Sequence, residues 1–259
     1  MTVFDRFRLN KKRALISGGS RGLGRAIAQA LAEAGADLVL TGRDLATLQK
    51  AKEELSALGR AVDILQADLV SSEGTEAMCR EVLARHGPID ILVNNVGGRR
   101  ENIEFLEQST ADWQRLMDLN LTSCFICCRE FGKPMVERGW GRIINIASMC
   151  GQIVGRNISG RHYETAKAAM VGLTRCLGAD WATRGVTVNA IAPGGFLTDA
   201  NFRWFRERPE LKQQFEAVIP MGRLGNPEEI GPLAVYLASD ASSYMTGAYL
   251  LIDGGFTLW

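Results

Sequence analysis

Two residues of this chain are spaced for acid–base chemistry: Tyr163 and Lys167, four positions apart. On a helix that spacing puts both on one face, roughly 6 Å apart along the axis at about 1.5 Å rise per residue. A phenol is a poor acid or base at neutral pH, because its unperturbed pKa is about 10. A neighbouring ammonium favours the phenolate and lowers that value. Such a pair could exchange a proton with a substrate hydroxyl or carbonyl. The same spacing fits two unrelated residues on a helix surface, so the meaning depends on the elements that hold the pair.

Those elements alternate. Arg13–Ser17, Asp37–Thr41, Val62–Ala67, Asp90–Asn94, Arg142–Ala147, Val186–Ala192 and Tyr249–Asp253 read as short buried strands. Between them, helical spacing covers Leu23–Ala34, closed by Gly35, and Leu45–Leu58, with Asp44 as N-cap and Gly59 as stop. Glu73–Arg85 and Ala111–Glu137 follow, with Pro134 bending or closing the latter. Arg161–Arg184 carries the opening pair, and Pro227–Ala238 comes last. Residues 193–222 read as irregular or partly helical. Uninterrupted alternation implies a parallel sheet wrapped by helices. The expectation is an α/β fold: one domain, residues 1–259, with a Rossmann-type doubly wound parallel sheet that binds ligands beyond the carboxyl ends of its strands.

Composition narrows the function. With 46% hydrophobic and 23% charged residues and a net charge of +1, no charged field argues for nucleic acid or a membrane surface. No apolar run approaches the ~20 residues a bilayer span needs. Residues 1–10 lack the apolar core of a signal peptide, so the expected location is the cytoplasm. Six cysteines and two histidines, His86 and His162, are present. Cys124 and Cys127 formally read C-x-x-C, but inside an apolar stretch. Buried reduced thiols are expected, and no metal site.

The turn between the first strand and helix reads Ser17-Gly-Gly-Ser-Arg-Gly-Leu-Gly24. Glycines there permit a tight turn and let phosphates approach backbone N–H groups at a helix N-terminus. Gly18, Gly22 and Gly24 are spaced more widely than the usual dinucleotide fingerprint, yet in the required strand–turn–helix context. The acid expected at the end of the second strand is replaced by Gly42, followed by Arg43. With Arg21 in the turn, two guanidiniums would favour a ribose 2′-phosphate. The expected cofactor is therefore NADP(H) in preference to NAD(H). Arg43 could instead face solvent, and Asp44 is a rival ribose ligand already explained as an N-cap.

At these residues the chain resembles the classical short-chain dehydrogenase/reductase family over nearly its whole length. The resemblance rests on the Gly18–Gly24 turn, on Asp68 after the third strand and on Asn94-Asn95-Val96-Gly97. It continues through Asn120, Ser148, Tyr163 and Lys167, then Pro193-Gly194 with Thr198, and Ile252-Asp-Gly-Gly255. It implies a catalytic tetrad of Asn120, Ser148, Tyr163 and Lys167. Tyr163 would be the proton donor or acceptor, and Lys167 would lower its pKa and hold the nicotinamide ribose. Ser148 would bond the reacting oxygen, and Asn120 would hold a water. The likeness also assigns Ser20, Arg21 and Leu23, Asp68 with Leu69, Asn95 and Gly97, and Pro193, Gly194 and Thr198 to the cofactor. Fifteen positions separate Ser148 from Tyr163, slightly more than the family usually shows. That puts the pocket's shape in question more than its chemistry.

Substrate-side loops after Asn94, Ser148 and Pro193 carry Arg99, Arg100, Arg156, Arg161, Arg203, Arg206 and Arg208, with Phe202, Trp204 and Phe205. The aromatics could close as a lid within residues 194–222. An anionic carbonyl or alcohol, such as gluconate or another sugar acid, would suit these arginines. They could equally be solvated, or pair with Glu101, Glu104, Glu207 and Glu210. The chain looks most like the gluconate 5-dehydrogenase and 3-oxoacyl-carrier-protein reductase groups. A nucleotide-binding regulatory protein is the non-enzyme alternative. The family resemblance implies a homotetramer or a dimer.

Overall fold

The computed structural model describes residues 2–155, 159–199, 206 and 209–258. Among them, seven strands form one parallel sheet: β1 (Arg13–Ser17), β2 (Asp37–Gly42), β3 (Val62–Gln66), β4 (Ile91–Asn94), β5 (Gly141–Ile146), β6 (Val186–Pro193) and β7 (Tyr249–Ile252). Their order is β3-β2-β1-β4-β5-β6-β7. In register, Leu15 lies beside Val39 on one side and Leu92 on the other. Strands covered on both faces are mostly apolar, and every residue of β5 and β6 is buried, Arg142, Asn145, Thr187 and Asn189 included. The edge strand β3 is less covered, with Val62 and Leu65 buried and Asp63 and Gln66 exposed.

Helices cover both faces. On one, α1 (Gly22–Glu33), α2 (Leu45–Ser56) and α8 (Gly231–Ala238) contribute Ile27, Leu31, Leu48, Leu55 and Leu237 to a core with Ile16 and Leu40. On the other, α3 (Ser72–His86), α5 (Ser123–Arg138) and α6 (His162–Trp181) contribute Val82, Phe131, Met135 and Met170 around Leu15 and Leu92. Strand order reverses between β1 and β4. Their carboxyl ends therefore diverge into a crevice.

Three expectations are corrected. The stretch Ala111–Glu137 is not one helix: α4 (Thr110–Met117) and α5 are joined by a π turn, Asp118–Thr122. Apolar spacing cannot register one residue inserted into a turn. Pro134 does not close the stretch, because α5 runs through it to Arg138 and ends at Gly139 in the left-handed conformation, φ 71°. Residues 193–222 are partly helical as expected, with α7 at Pro209–Val218. Of the proposed lid, Phe202, Arg203, Trp204, Phe205, Glu207 and Arg208 lie outside the described residues, as does Arg156. All six cysteines are free thiols. Cys79, Cys124, Cys127 and Cys128 are buried, but Cys150 is only partly so and Cys176 is exposed, against the expectation of burial.

Candidate active site

A groove of about 720 Å³ occupies the crevice at the carboxyl ends of the strands. Its first wall is the glycine turn. Gly18 and Gly22 sit at φ 67° and 56°, where L side chains are strained. At Gly24 a Cβ would lie 2.2 Å from the Gly18 carbonyl oxygen and 2.5 Å from the Asn95 amide nitrogen. Only glycine permits that approach. The turn delivers the chain to α1, whose N-cap residue Arg21 supplies no side-chain cap. The N-terminus of α1 thus keeps its positive partial charge toward the groove, which suits a phosphate. Gly18, Ser20, Arg21, Leu23 and Gly24 line the groove, and Thr198 faces Gly22, its Cβ 3.7 Å from where a Gly22 Cβ would be.

Arg43, Asp68 and Leu69 line the end beyond β2 and β3, where Gly42 offers no carboxylate. Asp44 stays an N-cap, its Oδ1 accepting from the Thr47 N–H at 2.7 Å. The floor comes from β4. Asn95 donates through its amide to the carbonyls of Ser17 (3.0 Å) and Gly18 (3.2 Å), and its backbone N–H donates to Ser17 Oγ at 2.9 Å. Asn95 thereby fastens the floor to the turn. Asn120 lies in the π turn, fully buried. Its amide nitrogen donates to Gly98 O and Leu116 O, and its oxygen accepts from the Gly98 N–H at 2.8 Å. That side chain is thus committed to the loop after β4. Gly97 is tight for the same reason, since a Cβ there would stand 2.9 Å from Asn120 Oδ1. Pro193 and Gly194 close the far wall.

Ser148, Tyr163 and Lys167 line the groove together. Ser148 ends the buried run of β5. Its Oγ accepts from the Cys150 N–H at 3.1 Å, and its carbonyl accepts from the Tyr249 hydroxyl at 2.8 Å. Burial pushes the Tyr163 phenol up to about 12, opposed by a hydrogen bond with Ser148 and by the Arg99 charge. Burial pushes Lys167 down to about 8, and its Nζ donates to the Ile146 carbonyl at 2.7 Å. Burial thus sets the direction at Tyr163, and the Lys167 ammonium stands 5.8 Å from the ring centroid.

Three-dimensional placement separates Arg99 from Arg100. Arg99 is bidentate to Glu164, at 2.7 and 3.0 Å, and turns toward Tyr163. Arg100, in the left-handed region at φ 60°, lines the cofactor side of the groove and donates to Gly97 O at 3.2 Å. Burial lowers its pKa first, then the charges of Arg43 and Arg21. Two of the acids named from sequence bond elsewhere: Glu101 pairs with Arg115 at 2.9 Å and Glu104 bonds Ser159. Arg161 shares Glu164 at 3.3 Å. Sequence reasoning missed Glu164, Arg100 as a cofactor-side residue, Ser17 and Tyr249. Glu164 stands inside the Tyr163–Lys167 spacing itself, and a carboxylate next to the candidate proton donor was the available signal.

The geometry has counterparts among known proteins. A family model described as enoyl-(acyl carrier protein) reductase matches residues 18–257. The chain is 42% identical to galactitol 2-dehydrogenase (L-tagatose-forming) of Cereibacter sphaeroides over 98% of each chain. It is 36% identical to a 3-oxoacyl-(acyl-carrier-protein) reductase of Aquifex aeolicus, covering 96% of this chain and 98% of the relative. A crystal structure of a gluconate 5-dehydrogenase from Burkholderia cenocepacia with NADP and tartrate superimposes with a TM-score of 0.91, at 35% identity over the whole of both chains.

Proposed function

The chain belongs to the short-chain dehydrogenase/reductase family and is an oxidoreductase of CH–OH groups; on that premise we propose that it moves hydride between NADP(H) and a secondary alcohol or ketone on a polyhydroxylated chain. The observation that carries the reading is the convergence of Ser148, Tyr163 and Lys167 on one wall of a groove whose other wall is the glycine turn.

A nicotinamide dinucleotide would be held by the turn and by Asp68, Leu69, Asn95 and Gly97, and when bound it supplies the hydride. Tyr163 donates its proton to the carbonyl oxygen as that carbon is reduced, and takes it back from the alcohol in oxidation. Ser148 Oγ hydrogen-bonds the same oxygen. Lys167, anchored on Ile146 O, would bond the nicotinamide ribose and hold positive charge beside the developing phenolate. A phenol pushed up to about 12 is protonated at neutral pH and so carries the proton, and the cations held near it lower the cost of releasing it.

NADP(H) is favoured by charge. Arg21, Arg43 and Arg100 gather on one side with no carboxylate in salt-bridge contact among the described residues, and Arg100 is repelled by the other two. A 2′-phosphate would relieve that repulsion. Relatives named for galactitol and structures named for gluconate support a polyhydroxylated substrate. Arg99 is neutralised by Glu164, which supports a neutral polyol or keto sugar. A sugar acid is the second reading, favoured by Arg161, which shares that one carboxylate and leaves the trio with excess positive charge. The acyl-carrier reductase relative makes a 3-oxoacyl thioester the remaining alternative.

Exposed Phe125 on α5, beside Leu173, Leu177 and Trp181 on α6, supports a homotetramer or dimer formed through these helices. Six free thiols support a reducing compartment such as the cytoplasm. Among the described residues no helix is long and apolar enough to cross a membrane. Steady-state rates with NADPH and NADH over keto sugars, keto aldonates and 3-oxoacyl thioesters test the whole reading. A preference for thioesters, or for NADH, would replace the corresponding part of it.

A further inference from the structure

Tyr163 stands on the second residue of α6, yet that helix opens without a side-chain cap. In contrast, α2, α3 and α4 open on capping side chains, Asp44, Ser71 and Ser109. An uncapped first turn is where a helix frays. Here the turn is held from outside, by the loop after β4.

Arg99 makes that attachment. Its guanidinium is bidentate to Glu164, and one of its nitrogens also donates to the carbonyls of Ser159 (2.9 Å) and Gly160 (3.1 Å), the last residues before the turn. Its backbone carbonyl lies 3.0 Å from His162 Nε2, and His162 Nδ1 lies 3.0 Å from the Gln108 amide nitrogen. If that amide donates to Nδ1, then Nε2 carries the proton and donates to Arg99 O. Glu164 is 7% exposed, so its charge needs these partners. The guanidinium also lies 4.9 Å from the centroid of the Tyr163 ring, nearer than Lys167.

We propose that Arg99 is a positioning residue for proton transfer at Tyr163: it pins the first turn of α6 through Glu164 and holds a second cation over the tyrosine ring. The proposal rests on the reading of Tyr163 as proton donor. As the phenol gives up its proton, negative charge develops on its oxygen, and a fixed cation over the ring stabilises it. The groups facing this phenol are Ser148 and Cys150 from the turn after β5, Arg99 from the loop after β4, and Glu164 and Lys167 from α6. Arg99 and Ser148 favour the phenolate; Glu164 and Cys150 oppose it. The two halves of one salt bridge thus act on Tyr163 with opposite sign.

The test uses the full chain with NADPH and ethyl 4-chloroacetoacetate as an activated ketone. Arg99→Ala is expected to lower kcat by about ten- to a hundredfold, the size of one to two pKa units of lost charge stabilisation. KM for NADPH should stay within about twofold, since Arg99 does not line the cofactor groove. Guanidinium ion at millimolar concentration should restore part of the lost kcat, whereas urea, similar in shape but uncharged, should not. Arg99→Lys should keep more activity than Arg99→Ala. The double variant Arg99→Ala/Glu164→Gln leaves no unpaired buried carboxylate and guards against misfolding; it should remain slow. Wild-type kcat in either variant, an equal loss in NADPH affinity, or rescue by urea as good as by guanidinium would overturn the proposal. Full activity in Tyr163→Phe would instead overturn the reading beneath it.

Discussion

The two ends of the groove handle charge in opposite ways. At the adenosine end, Arg21, Arg43 and Arg100 converge with no carboxylate in salt-bridge contact among the described residues, Asp68 and Asp44 acting only at longer range, on a frame of glycines and an uncapped helix. At the reacting end, Arg99 is clamped by Glu164 and Lys167 by the Ile146 carbonyl. One end leaves its charge for a ligand to complete. The other spends its charges on itself, so that a phenol and an ammonium stay fixed while a small substrate comes and goes. Preorganisation of this kind suits chemistry, and unpaired cations suit capture of a polyanion.

The largest break in that contrast should come from Tyr163→Phe. Removing one hydroxyl at the reacting end should cost nearly all turnover, about 10²–10⁴-fold for a lost general acid. NADPH affinity, measured by fluorescence titration, should be unchanged. Next comes Gly24→Ala at the other end. Its Cβ would press on Gly18 O and Asn95, and overpacking of about 1–3 kcal/mol predicts roughly ten- to a hundredfold weaker binding of NADPH and NADH alike. Arg43→Ala should be smaller and selective. Loss of one charge-assisted contact of about 1.5 kcal/mol weakens NADPH roughly tenfold and leaves NADH nearly unchanged. Equal losses for both cofactors would place Arg43 away from the 2′-phosphate.

A pH profile gives the smallest and most diagnostic effect. Burial brings Lys167 down to about 8, so its charge is complete at pH 6–7 and lost as pH rises past 8. Carbonyl reduction should fall over that window, by roughly the factor one ammonium contributes beside Tyr163. The phenol, pushed up to about 12, should not contribute to the fall. A limb that survives unchanged in Lys167→Arg, whose guanidinium does not titrate in this range, would assign it to another group.

Much of this was legible in the chain before any coordinates. Strand–helix alternation, the Gly18–Gly24 turn and the Tyr163–Lys167 spacing each have a short-range signature, and the family resemblance added Asn120 and Ser148 to that pair. Hidden features were of another kind. The π turn that sets Asn120 inserts a residue without disturbing the apolar spacing. The pKa of Tyr163 depends on burial, which composition does not report. Arg99 and Arg100 are neighbours in sequence and carry the same charge, yet with residue 100 in the left-handed region Arg100 lines the groove while Arg99 turns to Glu164 and the Tyr163 ring.

By itself the sequence determined which local structures form and in what order, because glycine turns, caps and apolar periods act over a few residues. It also determined that a tyrosine and a lysine would share a helix face. Only the tertiary structure decided what that pair meets. Glu164 pairs with Arg99 across 65 positions, and Ser148 is reached from β7 by Tyr249 across 101. Electrostatic pairing and desolvation depend on distance through space, and the sheet order sets that distance, with β4 brought beside β1 and β5.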